Sequence, residues 1–581
     1  MAGWQWHIGR ALQRPKVTLA AWAALAGALL AAIVACAAAL SEQAPPINGT
    51  LFDGNNAAMD VVTTGTRTAG ALLAAAALWS MGSAVRRRRE AAATLPGDRA
   101  TSAGAFALGL KALTEMVKDP DAFWERQREL AFSTSAGLSW NVLTGALCLF
   151  ASNAEVITEV LKRSNGKDFK MVLHPNANII LGKQNIAFMH GAAHKALRAS
   201  FLPLFTKRAL GMYLPLQQRV IERHLSRWVE LSSERTSAAG AKLGRGGGAD
   251  GGDELYIEAR ELCRDMNLET SQRVFLGPRL AEADVEGFNV AYFRMVEAFL
   301  SLPLFFPGTA LWRGWRGRHH VLAVLRKCAR AAFEAHGRGE QPECLLDLWV
   351  ARVVADMDEA RAEGRAAPGY ANVDAVADSC MDFLFASQDA STASLTWAVA
   401  HVADKPDMAE RVRAEATTLL ADGKELTYEG VASLAYTWCV VKEILRFRPP
   451  ATMVPQVSSE DVKLKTASAG GFVIRKGTLV MPSIYAASKQ GFTNPEIFDP
   501  DRMGPERRED LEFKSNFVPF GVGPHMCVGY QYAMQQLVVF VAMLCVKTDI
   551  SRRRTPRSAD VLYYPTIYPW DCLTTFSSRE P

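Results

Sequence analysis

The chain has 581 residues, of which 49% are hydrophobic and 22% are charged, and its formal net charge is +5. These values exclude an intrinsically disordered protein, and so small a charge over so long a chain predicts no nucleic-acid partner. The ten cysteines form neither a CxxC pair nor a cluster at zinc-ligand spacing, which argues against a structural zinc site and a disulfide framework and favours a reducing compartment.

The N-terminus combines a short basic tail, residues 1–16, with an uncharged stretch, residues 17–40. A helix of about 20 apolar residues crosses a hydrocarbon core of about 30 Å. Because Arg10, Arg14 and Lys16 precede the stretch, a cleaved signal peptide is the alternative, but the apolar run is longer than a signal peptide usually has. The pattern favours a membrane anchor.

A loop, residues 41–67, separates this anchor from a second and weaker apolar segment, residues 68–85, which ends on four arginines, Arg86 to Arg89. Residues 41–66 contain no Lys or Arg, so the positive-inside rule favours a hairpin with both ends in the cytosol. One span or two are both compatible with the sequence. Residues 86–105 are then a basic linker, and arginines beside an apolar stretch more often fix topology and contact lipid headgroups than dock a protein.

The rest of the chain, residues 106–581, predicts one mainly helical domain with a small β part. Within it, residues 233–253 are low in complexity and too rich in glycine for regular structure, which predicts a surface insertion. The clearest helices are predicted over Met212 to Leu231, Val373 to Ala403 and Tyr428 to Arg446, and short strands over Gly471 to Ile474 and Thr478 to Pro482.

Small and hydroxylic residues interrupt the apolar run of the predicted helix Val373 to Ala403. Gln388 and Asp389 are followed there by Ser391 and Thr392. Such residues can open a hydrogen-bonded groove for water and dioxygen, and an acid beside hydroxyls suits proton delivery. A core helix with satisfied polar groups explains this segment equally well when it is taken alone.

Two further pairs lie at helical spacing. Glu443 and Arg446 are three residues apart and can pair on one helix face, although such pairs are usually exposed and weak. His194 and Arg198 are four residues apart, and the planar fork of Arg198 suits a carboxylate. His194 by itself is more often a partly buried helix residue.

The segment FGVGPHMCVGYQ, residues 520–531, places Cys527 among glycines and before an apolar run, Val528 to Leu544, that predicts a helix. The free N–H groups and partial positive charge of a helix start favour a thiolate, which is the form that binds a metal. The alternative is an incidental buried cysteine in a glycine-rich turn.

This segment resembles the haem-binding signature of the cytochrome P-450 superfamily of haem-thiolate monooxygenases. The resemblance implies the cytochrome P-450 fold, with Cys527 as the axial ligand of the iron of haem b and with Phe520, Gly523, His525 and Gly529 around the haem. His525 stands where the family usually has arginine. A contact from it to a haem propionate would therefore come from a weaker, titratable donor.

Two other motifs support the resemblance. Glu443 and Arg446, together with Arg502 in the segment Phe498-Asp-Pro-Asp-Arg502, are similar to the ExxR and FxPxR motifs of the family. The resemblance gives them a structural role, a buried charge network that holds the cysteine loop. His194 and Arg198 resemble the HxxxR pair that binds haem propionates.

The central helix departs from the family at one position. Ala390 stands where a threonine is usual, which puts the ordinary hydroxyl relay in doubt and leaves Asp389 with Ser391 or Thr392 to deliver protons. The same run, residues 385–391, resembles the sterol 22-desaturase branch, as do residues 448–457 and the segment that ends at Ala533. The resemblance implies that the enzyme uses dioxygen and two electrons to form a C22–C23 double bond in a sterol.

In that reading Phe385, Met453 and Val454 line the sterol channel. No flavin or nicotinamide motif is found in the sequence, so the resemblance implies electrons from a separate NADPH-cytochrome P-450 reductase and a location at the endoplasmic reticulum membrane, with the catalytic domain in the cytosol. A sterol 14α-demethylase or another lipid hydroxylase would share every haem feature. A non-enzymatic haem gas sensor, a protein of another class, would need the cysteine but not a proton-delivery helix.

Overall fold

The computed structural model describes residues 95–97, 110–134, 136–143, 146–243, 255–420, 424–564 and 566–579. The predicted basic tail, both predicted membrane segments, the loop between them and the four arginines Arg86 to Arg89 lie outside these ranges. Within them, none of the helices combines the length and the apolar character that a membrane span requires.

Helices make up most of the described chain, so the prediction of a mainly helical domain with a small β part is confirmed. Three short 3-10 helices cover Leu202–Phe205, Gly277–Arg279 and Pro500–Met503. The α-helices are α1 Leu110–Lys118, α2 Pro120–Phe132, α3 Ala154–Lys162, α4 Ala177–Ile180, α5 Gly191–Phe201, α6 Lys207–Leu243, α7 Ala259–Phe275, α8 Glu282–Phe299, α9 Ala310–Gly337, α10 Leu345–Ala362, α11 Val373–Asp404, α12 Pro406–Ala416, α13 Tyr428–Ala432, α14 Ala435–Phe447, α15 Ile484–Ala487, α16 Glu509–Glu512 and α17 Tyr530–Lys547.

The strands form small sheets at the edge of the helical body. The largest has the order β1-β2-β8-β5-β3, with β2 and β8 parallel and the other pairs antiparallel. A second sheet has the order β4-β12-β9, and β6-β7 and β10-β11 are two-stranded. The strands are β1 Leu138–Leu143, β2 Ala146–Ala151, β3 Phe169–Met171, β4 Ile257–Glu258, β5 Gln456–Ser458, β6 Val462–Lys463, β7 Val473–Ile474, β8 Leu479–Pro482, β9 Thr548–Arg553, β10 Val561–Tyr564, β11 Thr566–Pro569 and β12 Leu573–Ser578.

Helix α11 joins the two largest hydrophobic cores. Its N-terminal half, residues 376–384, packs into one core, and its C-terminal half, residues 395–402, packs into the other. Between these halves, Phe385, Ala386, Asp389 and Ala390 keep accessible surface although the helix runs through the interior. At 3.6 residues per turn these four positions share one face, so the middle of α11 borders an interior space.

Helix α17 follows the cysteine segment and is apolar on all sides. Its side chains are buried from Met534 to Cys545, as expected for a helix without a polar face. Two amides fix its position, because Gln535 Nε2 donates to Gln217 Oε1 at 3.0 Å and Gln536 Nε2 donates to Asn267 Oδ1 at 3.0 Å. The cysteine loop is therefore attached to a rigid element.

The largest differences between the predicted and the observed elements lie at two places. The helix predicted over Tyr428 to Arg446 is divided into α13 and α14, because the backbone leaves the helical region at Leu434 (ψ 65°). The prediction that residues 233–253 lack regular structure is wrong for residues 233–243, which belong to α6. The glycines of this segment are concentrated after Leu243, so the Ala- and Ser-containing part before it extends the helix.

The C-terminal part of α6 also contacts a strand, through Ser232. The Ser232 hydroxyl accepts a hydrogen bond of 2.9 Å from the backbone N–H of Phe576 on β12, and the side chains of residues 233–237 that follow are exposed. The surface position predicted for this segment agrees with that exposure.

Replacing Trp228 with alanine tests the packing of α6 against the C-terminal elements. Its indole is buried, with ring centroids 6.2 Å from Phe540 and 5.2 Å from Phe576. We expect Trp228→Ala to lower the free energy of unfolding by about 3–5 kcal/mol, because it leaves a cavity. Denaturant titration followed by circular dichroism measures the change. Phe132→Ala, at a side chain that is 41% exposed, is the control and should cost much less; equal losses would contradict this packing.

Candidate functional site

The cysteine loop is a tight turn in front of α17. The Cys527 N–H donates to Phe520 O at 2.9 Å and the Met526 N–H donates to Gly523 O at 3.1 Å. Gly523 has a φ of +81°, and a Cβ there would lie 2.7 Å from Leu161 O, so only glycine fits between the loop and α3. Helix α17 begins three residues after the cysteine, at Tyr530.

Cys527 differs from the other cysteines of the described chain, because its side chain is exposed and theirs are buried. Protein atoms nevertheless surround the thiol on most sides. This burial raises the pKa of Cys527, against the opposing effects of the Gly529 N–H and the Arg198 charge. The features predicted to favour a thiolate are present but are outweighed by burial until a metal ion, which lowers the pKa of a thiol that it binds, is added.

Three imidazoles gather beside the cysteine loop. His525 Nε2 lies 3.3 Å from His190 Nδ1, and the ring centroids of His194 and His525 are 4.4 Å apart. Burial, with smaller contributions from the other two histidines and Arg198, lowers the pKa of His525 to about 4. These rings are therefore neutral donors and acceptors near neutral pH.

Arg198 is the cation of this cluster. It lies on α5, one turn after His194, and its charge acts on the Cys527 thiol. Its guanidinium is half-buried and forms no hydrogen bond or ion pair with any residue of the described chain. A half-buried guanidinium with free donors is suited to a carboxylate ligand.

Glu443, Arg446 and Arg502 form one buried network. Arg446 donates to both carboxylate oxygens of Glu443, at 2.7 and 2.8 Å, and Arg502 Nε donates to Glu443 Oε1 at 3.1 Å. Glu509 Oε2 lies 3.1 Å from Arg502 Nη1, so two carboxylates balance two guanidinium groups. Burial raises the pKa of Glu509, but hydrogen bonds from Arg507, Thr493 and Arg502 lower it below its usual value.

This network is connected to the cysteine loop through aromatic packing. The Arg446 guanidinium lies 5.3 Å from the ring centroid of Phe492, which in turn packs edge-on against Phe513 at 5.7 Å. Phe513 and Phe517 belong to the same cluster, and the chain enters the cysteine loop three residues after Phe517. The network therefore supports the polypeptide that leads into the loop.

The polar residues predicted on the central helix separate into two sets. Asp389 lies on the accessible face, beside Ala390, whereas Ser391 and Thr392 are buried. The Thr392 hydroxyl oxygen accepts a hydrogen bond from Asn267 Nδ2 at 3.3 Å. Thr392 lies about one turn after Asp389 and is its neighbour on the helix surface, whereas Ser391, two residues after Asp389, points to a different side.

Asn267, on α7, organises the buried side of this segment. Its amide also donates to Ser387 O and Gln388 O, both at 3.0 Å, while its oxygen accepts from Gln536. Gln388 Nε2 donates in return to Arg264 O at 3.1 Å. Helices α7, α11 and α17 are thus joined by amides at the position where α11 borders the interior space.

Asp389 has the electrostatic character of a proton donor. Burial raises its pKa to about 6, and the positive charge of Arg260 opposes this rise. Both protonation states are therefore populated between about pH 5 and 7. A group with this pKa can take up and release a proton under physiological conditions.

The residues predicted to line a substrate channel lie on different elements. Phe385 packs against Phe299 with a centroid separation of 5.2 Å. Met453 forms an isolated bridge with Ser483, and the Val454 N–H donates to Pro482 O at 3.2 Å. No contact joins Phe385 to the other two within the residues that the structure describes.

Several residues of this site were not identified from the sequence. His190 precedes α5 by one residue, and Asn267 and Arg260 lie on α7, which carries no motif. A helical pattern with an internal Asn gives only a weak signal, because many such residues are exposed. His190 had a clearer signal, since it lies four residues before His194 in the sequence HGAAH.

The donor set fits a haem. An accessible thiol lies beside a guanidinium with free donors and three neutral imidazoles, and Gly523 lets the loop that carries the thiol pack closely against α3. Cys527 would hold the iron, and Arg198, His194 and His525 would hold the two propionate groups.

Relatives of known class support this fit. A family model described as Cytochrome P450 matches residues 123–547. Cytochrome P450 710A3 of Arabidopsis thaliana is 36% identical over 467 residues, which cover 80% of this chain and 88% of that protein. The C-22 sterol desaturase ERG5 of Saccharomyces cerevisiae is 29% identical over 445 residues, which cover 74% of this chain and 77% of that protein.

Solved structures show the same fold at lower identity. A retinoic-acid-bound cyanobacterial CYP120A1 superimposes with a TM-score of 0.65 at 22% identity, covering 84% of this chain and 99% of that one. The haem domain of cytochrome P450DA gives a TM-score of 0.65 at 19% identity.

Removing the shared carboxylate of the buried network tests its structural role. Glu443→Ala leaves the guanidinium groups of Arg446 and Arg502 buried without their common partner, so we expect the free energy of unfolding to fall by about 3–5 kcal/mol. Denaturant titration and the haem content of the purified protein measure the effect. Asp358→Ala breaks an exposed i,i+3 pair with Arg361 and should change stability by less than about 0.5 kcal/mol. Similar losses in the two variants would contradict the role of the network.

Proposed function

Because the chain belongs to the cytochrome P450 family, whose members bind haem iron through a cysteine thiolate, we propose that this oxidoreductase introduces a C22–C23 double bond into a sterol side chain. The similarity to proteins named C-22 sterol desaturases, of which the yeast relative is 29% identical over 445 residues, carries the proposal. Two hydrogen atoms leave the sterol and combine with dioxygen, two electrons and two protons, so that two water molecules are released.

The residues of the chain bind and orient the reactants in this proposal. Haem, when bound, supplies the iron at which dioxygen is activated. Cys527 holds the iron, and Arg198, His194 and His525 hold the propionates. Phe385, on the accessible face of α11, contributes apolar surface for the sterol, and Met453 and Val454 are further candidates for the channel.

Proton delivery is assigned to Asp389. Its carboxyl group lies on the accessible face of α11 and changes charge near pH 6. Thr392 is the better candidate for a second relay group, because it is the i+3 neighbour of Asp389 and its hydroxyl can still donate while it accepts from Asn267, whereas Ser391 at i+2 points away from the acid. At position 390, alanine provides no hydroxyl, so the acid and water take over a step for which the family usually has a threonine.

Electrons are proposed to come from a separate NADPH-cytochrome P-450 reductase, because the sequence contains no flavin or nicotinamide motif. The proposed location is the endoplasmic reticulum membrane, with the catalytic domain in the cytosol, since the apolar run at residues 17–40 has the length of an anchor.

A surface of the catalytic domain supports a membrane location. The segment before α5 lies against the connection between α8 and α9, because Asn176 Nδ2 donates to Ala298 O at 3.0 Å and to Ser301 O at 2.8 Å. These two parts of the chain carry six large hydrophobic residues that are exposed. We call this the apolar tip; its members are Leu173, Ile179, Leu300, Leu302, Phe305 and Phe306.

Aromatic and basic side chains border the apolar tip. Trp315 packs edge-on against Phe305 at 5.6 Å, and Arg316 lies 5.0 Å from the ring centroid of Trp312. Residues 298–333 contain no Asp or Glu. Tryptophan and arginine around exposed Phe and Leu match the headgroup layer of an anionic bilayer.

Turnover of a sterol tests the proposed reaction. The purified full-length protein, a P450 reductase, NADPH and a sterol saturated at C22 should give a product two hydrogens lighter, identified by mass spectrometry. A hydroxylated or demethylated sterol as the sole product would contradict desaturation, and absence of turnover with stable gas binding would favour a sensor. Cys527→Ser should abolish the carbonyl-complex absorption of thiolate-bound haem, whereas Cys439→Ser, at a buried cysteine, should retain it.

Hydrogen exchange tests the membrane contact. In vesicles that contain phosphatidylserine, residues 300–316 of the full-length protein should exchange about tenfold more slowly than in detergent, because burying each Phe stabilises by roughly 1.5–3 kcal/mol. The double variant Phe305→Asp/Phe306→Asp should lose this protection. Ile497→Asp/Leu511→Asp changes two side chains that are 58% and 59% exposed elsewhere and should retain it. Loss of protection in both double variants would count against the apolar tip.

A further inference from the structure

The backbone of α11 at Asp389 receives hydrogen bonds from the C-terminal hairpin. Tyr568 Oη donates to Asp389 O at 3.2 Å, and Thr566 Oγ1 donates to the same oxygen at 3.4 Å. Both donors lie on β11, about 180 residues further along the chain. A carbonyl oxygen inside a helix normally accepts its hydrogen bond from a backbone N–H of the same helix. Two additional side-chain donors on this one oxygen therefore fix Asp389 of α11 against the hairpin.

Arg260 connects this contact to the start of α7. Its guanidinium lies 5.2 Å from the ring centroid of Tyr568, a cation–π distance. The position of Arg260 is fixed by the sheet, because β4 ends at Glu258 and pairs with β12, and the Ala259 N–H donates to Cys572 O at 2.9 Å. One guanidinium is thus held beside Tyr568, and its charge acts on the carboxyl group of Asp389.

Several charged and titratable groups act on Asp389 or on its neighbour Arg260. Arg260 is the group whose charge stabilises the carboxylate, against a larger opposing effect of burial. From α8, Tyr292 faces the same acid, and burial together with the Asp389 charge raises the pKa of its hydroxyl. Burial, with a smaller contribution from the Arg264 charge, lowers the pKa of Arg260, whereas Tyr568, Glu258 and Glu261 raise it. The Arg260 side chain is largely buried.

We propose that Arg260 and Tyr568 are positioning residues for Asp389: Tyr568 fixes the turn of α11 that carries the acid, and its ring holds the Arg260 cation next to that turn. This inference rests on the proton-delivery role given to Asp389 in the proposed function. Since Ala390 supplies no hydroxyl, the orientation and charge of the acid depend on these two distant side chains. Arg260 acts through its charge, whereas Tyr568 acts through its ring and its hydrogen bond to the backbone.

Titration of the Asp389 carboxyl group tests the role of Arg260. In Arg260→Met the cation that favours the carboxylate is lost, so the midpoint for ionisation of Asp389 should move to higher pH by about 1 unit or more. Infrared difference spectra of the haem-loaded protein against Asp389→Asn identify the protonated carboxyl band and follow it with pH. This readout needs no substrate, so it stands even if the sterol reaction is wrong.

Matched variants separate charge from folding. Arg260→Lys keeps the cation and should shift the Asp389 midpoint less than Arg260→Met does. Arg273 lies on the same helix as Arg260 and pairs with Glu282 of α8, so Arg273→Met should leave the midpoint unchanged. Tyr568→Phe keeps the ring and should raise the fraction of NADPH consumed without product. An unchanged Asp389 midpoint in Arg260→Met, in protein that binds haem with a normal spectrum, would overturn the proposal.

Discussion

One carboxylate, that of Glu443, is the constraint on which the haem side of this protein depends. It accepts hydrogen bonds from Arg446, from Arg502 and from the backbone N–H of Asp499, and all three charged side chains are inaccessible to solvent. Buried charges are tolerated only when each has its partners in good geometry. Helix α14 and the segment that contains Asp499 and Arg502 must therefore be in register for this network to form.

The central helix α11 brings a carboxyl group, that of Asp389, into an apolar interior. Its two ends are buried in separate hydrophobic cores, and its middle turns one face to an interior space. Asn267 holds the carbonyl oxygens of Ser387 and Gln388, while the carbonyl oxygen of Asp389 is held by Tyr568 and Thr566. A single turn of helix is thus fixed from α7 and from the C-terminal hairpin, which leaves the Asp389 carboxyl group at the border between protein and ligand.

Much of the fold followed from local pattern. The helices at Val373 and after Cys527 are found where the apolar spacing predicts them, since a long apolar period is a strong signal. The break at Leu434 and the continuation of α6 to Leu243 were not predicted. At Leu434 the helical pattern of the sequence continues through the break, so the break is set by tertiary contacts. Helix α6 continues into sequence of low complexity because only one glycine precedes Leu243 in that segment.

The sequence by itself indicated the cysteine segment and the Glu443–Arg446 pair, because each is a short run whose spacing is set by one turn or one helix, and its resemblance to a known family indicated the class of enzyme. Only the tertiary structure decided which polar groups meet. It placed His190 beside His525, turned Thr392 towards Asn267 and brought Arg260 and Tyr568 to Asp389. These pairs are separated by more than a hundred residues, and no local pattern encodes a contact whose geometry arises when distant helices pack.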